Sequence, residues 1–265
     1  MEVNIFFVIT KMNSNVDPTF WWSYYSKAFF ILSNTFRPGV DFTVEQSSYA
    51  MQCFYISVSN LLPNKQFKLF MQDFIQMKPN VYPILQKAIP KFWQIYPSYH
   101  RAIADYPQNF FEMCTKTNES MFIWTYLLQT YIFQSFNEMG HKVVIPTLNE
   151  MKEIYNPELL SKYDWGPPLW FIIHFSALHA PEPLERSFSD YKALLGCLQY
   201  LLPCPKCRNH LATNLTNIDL ETCAKTRQDM FRCSWELHNI VNKDTKKRIM
   251  PYDEAIKLYI PPNYK

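Results

Sequence analysis

Three features of this sequence predict an all-α fold. Glycine occurs only four times in 265 residues, at 39, 140, 166 and 196, too rarely for sheets full of tight turns. Apolar residues recur at helical spacing through long aromatic-rich segments. Prolines stand where helices begin or must stop. With 48% hydrophobic and 17% aromatic residues, the chain has the composition of a folded protein rather than a disordered one.

In order, Asp17-Pro18 supplies an N-cap and a first-turn proline, so a helix is expected over 19–36. Further helical patterns run over 46–62, 65–77 and 120–137. Prolines at 79, 83, 90, 97 and 107 divide the intervening stretch into short pieces. Gly140 and Pro146 close this half, and Thr147-Leu148-Asn149-Glu150 reads as a capping box for one more short helix before Pro157. In the second half Gly166-Pro167-Pro168 opens a helix to about 180. A second is expected over 187–202, a third from Cys204, a fourth over 226–241, and a short fifth from Pro251 to before Pro261-Pro262. Four helices with short links suggest an antiparallel bundle. The boundary falls near 145–163, giving an N-terminal helical domain over 1–150 and a second domain over 160–265.

Composition removes several functions. A formal charge of +3 with no Lys/Arg run that stands out gives nucleic acid no obvious footing. The scarcity of glycine excludes a phosphate loop, a dinucleotide fingerprint and a nucleophile elbow. The apolar run at 3–9 follows Glu2 rather than a basic segment and is too short to span a bilayer. No secretory signal and no membrane partner are therefore expected.

The chemistry centres on Leu202-Pro203-Cys204-Pro205-Lys206-Cys207. Two cysteines three apart on a first helical turn are close enough to bridge, and the helix N-terminus stabilises a thiolate there. Such a pair is a redox device or half of a zinc site; His210 with a distant ligand, or Cys223 and Cys233, would complete the zinc site and make the chain a protein-binding module. Seven cysteines in a chain without an export signal favour a protein that makes disulfides over one that merely contains them. Thioredoxin-like exchange would need a βαβ context that is lacking. Trp170 and His174 share one helix face, and Trp235, His238, Asn239 and Asn242 share another. Such aromatic plates with polar edges suit a planar cofactor between helices. Lys246, Lys247 and Arg248 add charge suited to a pyrophosphate.

Trp165-Gly166-Pro167-Pro168-Leu169-Trp170 with His174, then the cysteine motif, then His238-Asn239-Ile240-Val241-Asn242 resemble, in order and spacing, the Erv/ALR FAD-linked sulfhydryl oxidases. They look most like those encoded by large DNA viruses. The resemblance covers about 164–260 and implies a four-helix bundle with a short fifth helix. It implies that Cys204 and Cys207 form the redox disulfide, with Cys207 exchanging with substrate and Cys204 facing the flavin. Gly166, Trp170, His174, Trp235, His238, Asn239, Asn242 and Lys247 would bind FAD, and no metal is implied. Electrons would pass from thiol-containing substrate proteins, here virion proteins, through the dithiol and FAD to molecular oxygen, giving hydrogen peroxide. The setting implied is host cytoplasm or virion. Pro167 stands where the family often has Arg, and Ala180 where it usually has Tyr. Cellular members carry a second disulfide for which Cys223 and Cys233 are available. Yet Cys233 sits five residues before His238, where the family's Trp is expected, which leaves that pairing open. No second C-x-x-C exists as a shuttle, so either Cys53 and Cys114 cooperate or substrates meet Cys204–Cys207 directly; direct access is favoured.

The N-terminal half matches no motif by itself, but Leu61-Leu62-Pro63-Asn64-Lys65-Gln66-Phe67 aligns with Leu201-Leu202-Pro203-Cys204-Pro205-Lys206-Cys207. Trp22 then stands for Trp170 and Ser26 for His174, while Met121-Phe122 against Met230-Phe231 puts Tyr126 on Trp235 and Gln129 on His238. The first half is thus expected to be a degenerate copy of the bundle that holds no flavin. It would pack through the surface that simpler family members use to dimerise, as an intramolecular pseudo-dimer in place of a homodimer.

Overall fold

The computed structural model describes residues 18–260. The apolar run at 3–9, the expected cap Asp17 and Pro261-Pro262 lie outside them. Among the described residues the regular structure is helical, with fourteen α-helices, three short 3-10 turns and no strand.

The first half contains α1 (Pro18–Thr35), α2 (Val44–Leu61) and α3 (Lys65–Ile75). Next come the short pieces α4 (Val81–Ala88), α5 (Pro90–Ile95), α6 (Pro97–Asp105) and α7 (Phe110–Cys114), then the long α8 (Asn118–Glu138) and α9 (Leu148–Ile154). The second half contains α10 (Lys162–Leu178), α11 (Leu184–Leu201), α12 (Pro205–Thr216), α13 (Arg227–Asp244) and α14 (Tyr252–Tyr259).

Local chemistry explains most of the starts. Thr43 and Gln46 form a capping box for α2, Asn64 accepts from the N–H groups of Gln66 and Phe67 at α3, and Thr147 with Glu150 caps α9 as the sequence suggested. Pro90 and Pro97 sit at the first positions of α5 and α6, where a missing N–H costs nothing. One start differs from expectation. Helix α10 begins at Lys162, not at Gly166, because Ser161 and Asp164 form a further capping box upstream. Pro167 and Pro168 consequently fall inside its early turns rather than at its first position.

Helix α1 lies against α8, and α2 and α8 both lie against α3; in the second half α10 lies against α13 and α11 against α12. Across the halves, α1 packs on α10 and α2 on α11. The Tyr25 hydroxyl hydrogen-bonds Ser176 Oγ at 2.8 Å, and the Tyr24 ring stacks on Phe171 at 4.0 Å. Asn60 Nδ2 donates to Asp190 Oδ1 at 2.9 Å in the α2–α11 contact. Buried side chains of both halves merge into one apolar core. It is dense in large rings, among them the fully enclosed Trp21, Trp22, Trp124, Phe54, Phe67 and Phe74. At about 1.5–3 kcal/mol for each large side chain removed from water, this core is what holds the halves together.

Candidate active site

Cys204 is the N-cap of α12 and is bridged to Cys207, one turn further on, with Cα atoms 5.1 Å apart. The Cys204 sulfur also accepts the Cys207 backbone N–H at 3.2 Å. An N-cap sulfur facing unpaired helix N–H groups is where a thiolate is stabilised. The two sulfurs are not equivalent. Both are half-buried, but Cys207 packs against the apolar core and Cys204 serves as the helix cap.

Helices α10 and α13 bring the expected ring systems together. His174 is buried, and its Nδ1 pairs with Ser234 Oγ at 2.8 Å while its Nε2 pairs with His238 Nδ1 at 2.9 Å. The Trp170 ring lies parallel to the His238 ring at 3.9 Å, with only 4° between planes. Tyr259 of α14 covers His174 from another side, with ring centres 4.9 Å apart. Burial, and then the neighbouring His238, hold the His174 imidazole well below its usual pKa. Burial, and then the Lys247 charge, lower His238 to about 4. Both rings are therefore neutral at pH 7, and the Ser234–His174–His238 chain is a hydrogen-bonded unit rather than a charged one.

Asn239 and Trp235 are used differently. Asn239 donates to the Met250 carbonyl at 2.9 Å and accepts the Met250 N–H at 3.0 Å, while Trp235 Nε1 donates to the same carbonyl at 2.7 Å. These bonds clamp the chain that returns along α13. The return is made at Lys246, whose φ of 56° is left-handed, and it brings the Lys247 N–H onto the Asn242 carbonyl at 2.7 Å. Asn242 donates in turn to Asn239 Oδ1 at 3.3 Å. Lys247 is left exposed at the turn, whereas Arg248 is engaged by both carboxylate oxygens of Glu254. Gly166 lies one turn before Trp170, and nothing stands within 4 Å of where its Cβ would be.

The second disulfide that the sequence left open is formed: Cys223 pairs with Cys233, tying the turn before α13 to that helix. Cys204, Cys207, Cys223 and Cys233 are thus taken up as two disulfides, which speaks against the zinc-module alternative, since zinc is ligated by thiolates and not by disulfide sulfurs. Cys53 and Cys114 are not brought together. Cys114 is buried on α7, where desolvation raises its pKa. Cys53 meets Cys197 across the α2–α11 contact, and that hydrogen bond lowers the Cys53 thiol to about 7.

Two residues of the site were missed from sequence. Ser234 stands four before His238, so helical spacing alone could have found it. Met250 acts through its backbone, which no side-chain pattern announces.

The donor set fits a flavin dinucleotide: a flat indole beside two neutral imidazoles, amide groups ordered by their own hydrogen bonds, and an exposed lysine. A bridged dithiol capping one helix, together with such a surface on α10 and α13 of the same bundle, defines a thiol–disulfide redox protein of the helical-bundle class. The profile of the Erv1 / Alr family matches residues 167–259. A probable FAD-linked sulfhydryl oxidase of Acanthamoeba polyphaga mimivirus is 32% identical over 100 residues, covering 37% of this chain and 70% of that protein. An FAD-linked sulfhydryl oxidase of African swine fever virus is 31% identical over 100 residues, covering 36% and 79%. A putative FAD-linked sulfhydryl oxidase of frog virus 3 is 26% identical over 99 residues, covering 36% and 65%. No solved structure matches the chain significantly. The chain belongs to the Erv1 / Alr family.

Proposed function

We propose that this protein is an FAD-linked sulfhydryl oxidase that forms disulfide bonds in substrate proteins through Cys204 and Cys207. The observation that carries this is the combination of a bridged pair at the N-cap of α12 with the neutral Trp170–His174–His238 layer built by α10 and α13 of the same bundle. A substrate thiolate attacks one sulfur of the Cys204–Cys207 disulfide and the other sulfur leaves as a thiolate. A second substrate thiolate then attacks the mixed disulfide, so that the substrate is oxidised and the enzyme pair reduced, the two protons lost by the substrate thiols ending on the reduced pair with no net proton uptake. The place of Cys204 at the helix cap and the packing of Cys207 against the core favour Cys204 as the sulfur attacked and Cys207 as the sulfur nearer the cofactor, the reverse of the order expected from the resemblance.

FAD, when bound, supplies the two-electron acceptor for the reduced pair and the centre from which molecular oxygen is converted to hydrogen peroxide. Trp170, His174 and His238 would form the planar wall, with Ser234 holding His174 in one tautomer. Asn242 and Lys247 would meet the polar and phosphate portions, Lys247 as a point charge. Gly166 would allow close approach to α10. Trp235 and Asn239 would keep the 245–250 turn, and with it Lys247, in place.

We assign residues 1–150 to a degenerate copy of the same bundle and residues 160–265 to the oxidase domain, the two forming a pseudo-dimer within one chain. Supporting this, the α1–α8, α2–α3 and α3–α8 contacts have counterparts in α10–α13, α11–α12 and α12–α13, and like helices meet across the contact, α1 on α10 and α2 on α11. Ser26 and Gln129, which stand for His174 and His238, are themselves hydrogen-bonded.

The substrates proposed are thiol-bearing virion proteins, and the setting host cytoplasm or virion. Among the described residues no helix is long and apolar enough to cross a membrane. The sequence carries two N-x-Ser/Thr sequons, Asn118-Glu119-Ser120 and Asn214-Leu215-Thr216, which this setting leaves unmodified; Asn118 donates to the carbonyls of Ser33, Asn34 and Phe36, and Asn214 is buried.

The test is oxygen uptake with a dithiol substrate by purified protein carrying flavin absorbance. Uptake that vanishes in Cys204→Ser and Cys207→Ser, with flavin retained, is the expected result. Normal uptake in either variant would sink the assignment.

A further inference from the structure

The residue after the active pair, Arg208, does not point freely to solvent. Its side chain is only 12% exposed, and Nη1 donates to the Leu202 carbonyl at 3.2 Å, across the loop that carries Cys204. The other partners come from the opposite half of the chain. Asp41 forms an ion pair with Arg208 Nη2, and the Phe42 ring lies under the guanidinium at 5.5 Å while also packing edge-on against Tyr200 at 4.8 Å. The segment reaching over is the turn between α1 and α2. Gly39 permits it, with φ of 81° and its N–H bound to the Phe42 carbonyl at 3.0 Å; a Cβ there would meet Val44 at 3.3 Å.

We propose that Asp41 and Phe42, on the half that carries no redox chemistry, are positioning residues that fix Arg208 beside the dithiol and set how strongly its charge favours the reduced pair. The proposal rests on Cys204–Cys207 being the redox centre. A guanidinium next to a thiolate stabilises it, and a stabilised reduced form makes the disulfide a stronger oxidant. Asp41 opposes this by partly neutralising the same guanidinium. The cation–π contact and the Leu202 carbonyl keep Arg208 in place, so the carboxylate acts on charge more than on geometry. The half without cysteines at the matching positions thereby tunes the half that has them.

The test uses the full-length holoprotein, equilibrated anaerobically in glutathione redox buffers, where the disulfide and two glutathiones exchange for the dithiol and one glutathione disulfide. The dithiol fraction is read by acid quenching, alkylation and mass measurement. Asp41→Asn keeps the shape and removes the charge, and should shift the equilibrium toward dithiol by about three- to tenfold. Asp41→Glu should restore it to within about twofold of the parent. Arg208→Gln should shift it the other way, and in that background Asp41→Asn should add nothing. An unmoved equilibrium in Asp41→Asn, or an equal shift with and without Arg208, would overturn the proposal. Failure of the redox assignment itself reads differently: turnover would then persist in Cys204→Ser whatever stands at position 41.

Discussion

Where α10 and α13 bring His174 and His238 into contact, α1 and α8 bring Ser26 onto Gln129. Where Cys204 and Cys207 bridge, Asn64 caps α3 by accepting two backbone N–H groups, and Phe67 turns inward. Phe67 fills its half with rings, lying 4.8 Å from Trp22 and 4.7 Å from Phe136. Nine residues after Gln129 stands Glu138, engaged by Lys87, where Lys247 follows His238 by the same interval. One helical group therefore presents a planar polar surface and a cation. The other presents a packed interior and a carboxylate, which would repel a pyrophosphate. On the proposed pseudo-dimer, one helix order would support chemistry or mere packing, depending on whether the inward positions carry cysteine, imidazole and indole or larger and less reactive side chains.

Four experiments would break or sharpen that contrast. The largest effect belongs to the dithiol: Cys204→Ser or Cys207→Ser should lower turnover by about a thousandfold or more, with flavin bound at one per chain. Two flavins per chain, measured from absorbance against protein mass, would mean that the first half also binds cofactor. Next, Phe67→Ala should cost about 3–5 kcal/mol in denaturant unfolding by opening a cavity in the first half. It should leave the flavin ratio at one. A gain of flavin would show that Phe67 alone had closed a working pocket.

The third concerns acid. His174 and His238 have folded-state pKa values below the unfolded value of 6.5, so the folded state prefers them neutral. Their contribution is fully present above pH 6.5 and is lost as pH falls toward about 4, where His238 titrates. Thermal unfolding followed between pH 7.5 and 4 should show this loss, and His238→Gln, which cannot gain a proton, should flatten it. A slope unchanged in His238→Gln would place the acid sensitivity elsewhere. The smallest effect is expected at Cys197, buried at the α2–α11 contact with its thiol on the Leu194 carbonyl at 3.1 Å. Cys197→Ser should leave turnover within about twofold, because the residue takes no part in exchange with substrate. A large loss would implicate the Cys53–Cys197 contact in electron transfer.

Much of the site was legible because its signals are local. The C-x-x-C spacing, the His174 and His238 positions and the capping boxes are properties of one turn of helix, and the structure places them where that spacing requires. The start of α10 was misjudged because two prolines looked like a first turn, while Ser161 and Asp164 supplied a stronger cap upstream. The Cys223–Cys233 pairing was not legible, since the sequence spacing around Trp235 argued against it and only the approach of the turn to α13 decides it. Trp235 and Asn239 were read as cofactor contacts; that their polar atoms also hold Met250 was not legible, because only the returning chain provides that partner.

The sequence by itself determined the helical class, the reactive pair and the apolar helix faces, because helix periodicity, capping and thiol acidity depend on neighbours within a few residues. Tertiary structure alone decided that Asp41 and Phe42 reach Arg208, with 167 positions separating Asp41 from Arg208. It also decided that His174 and His238 become neutral partners and that Phe67 fills the space its half would otherwise leave open. Such outcomes depend on burial and on contacts between distant segments, and no local rule carries either.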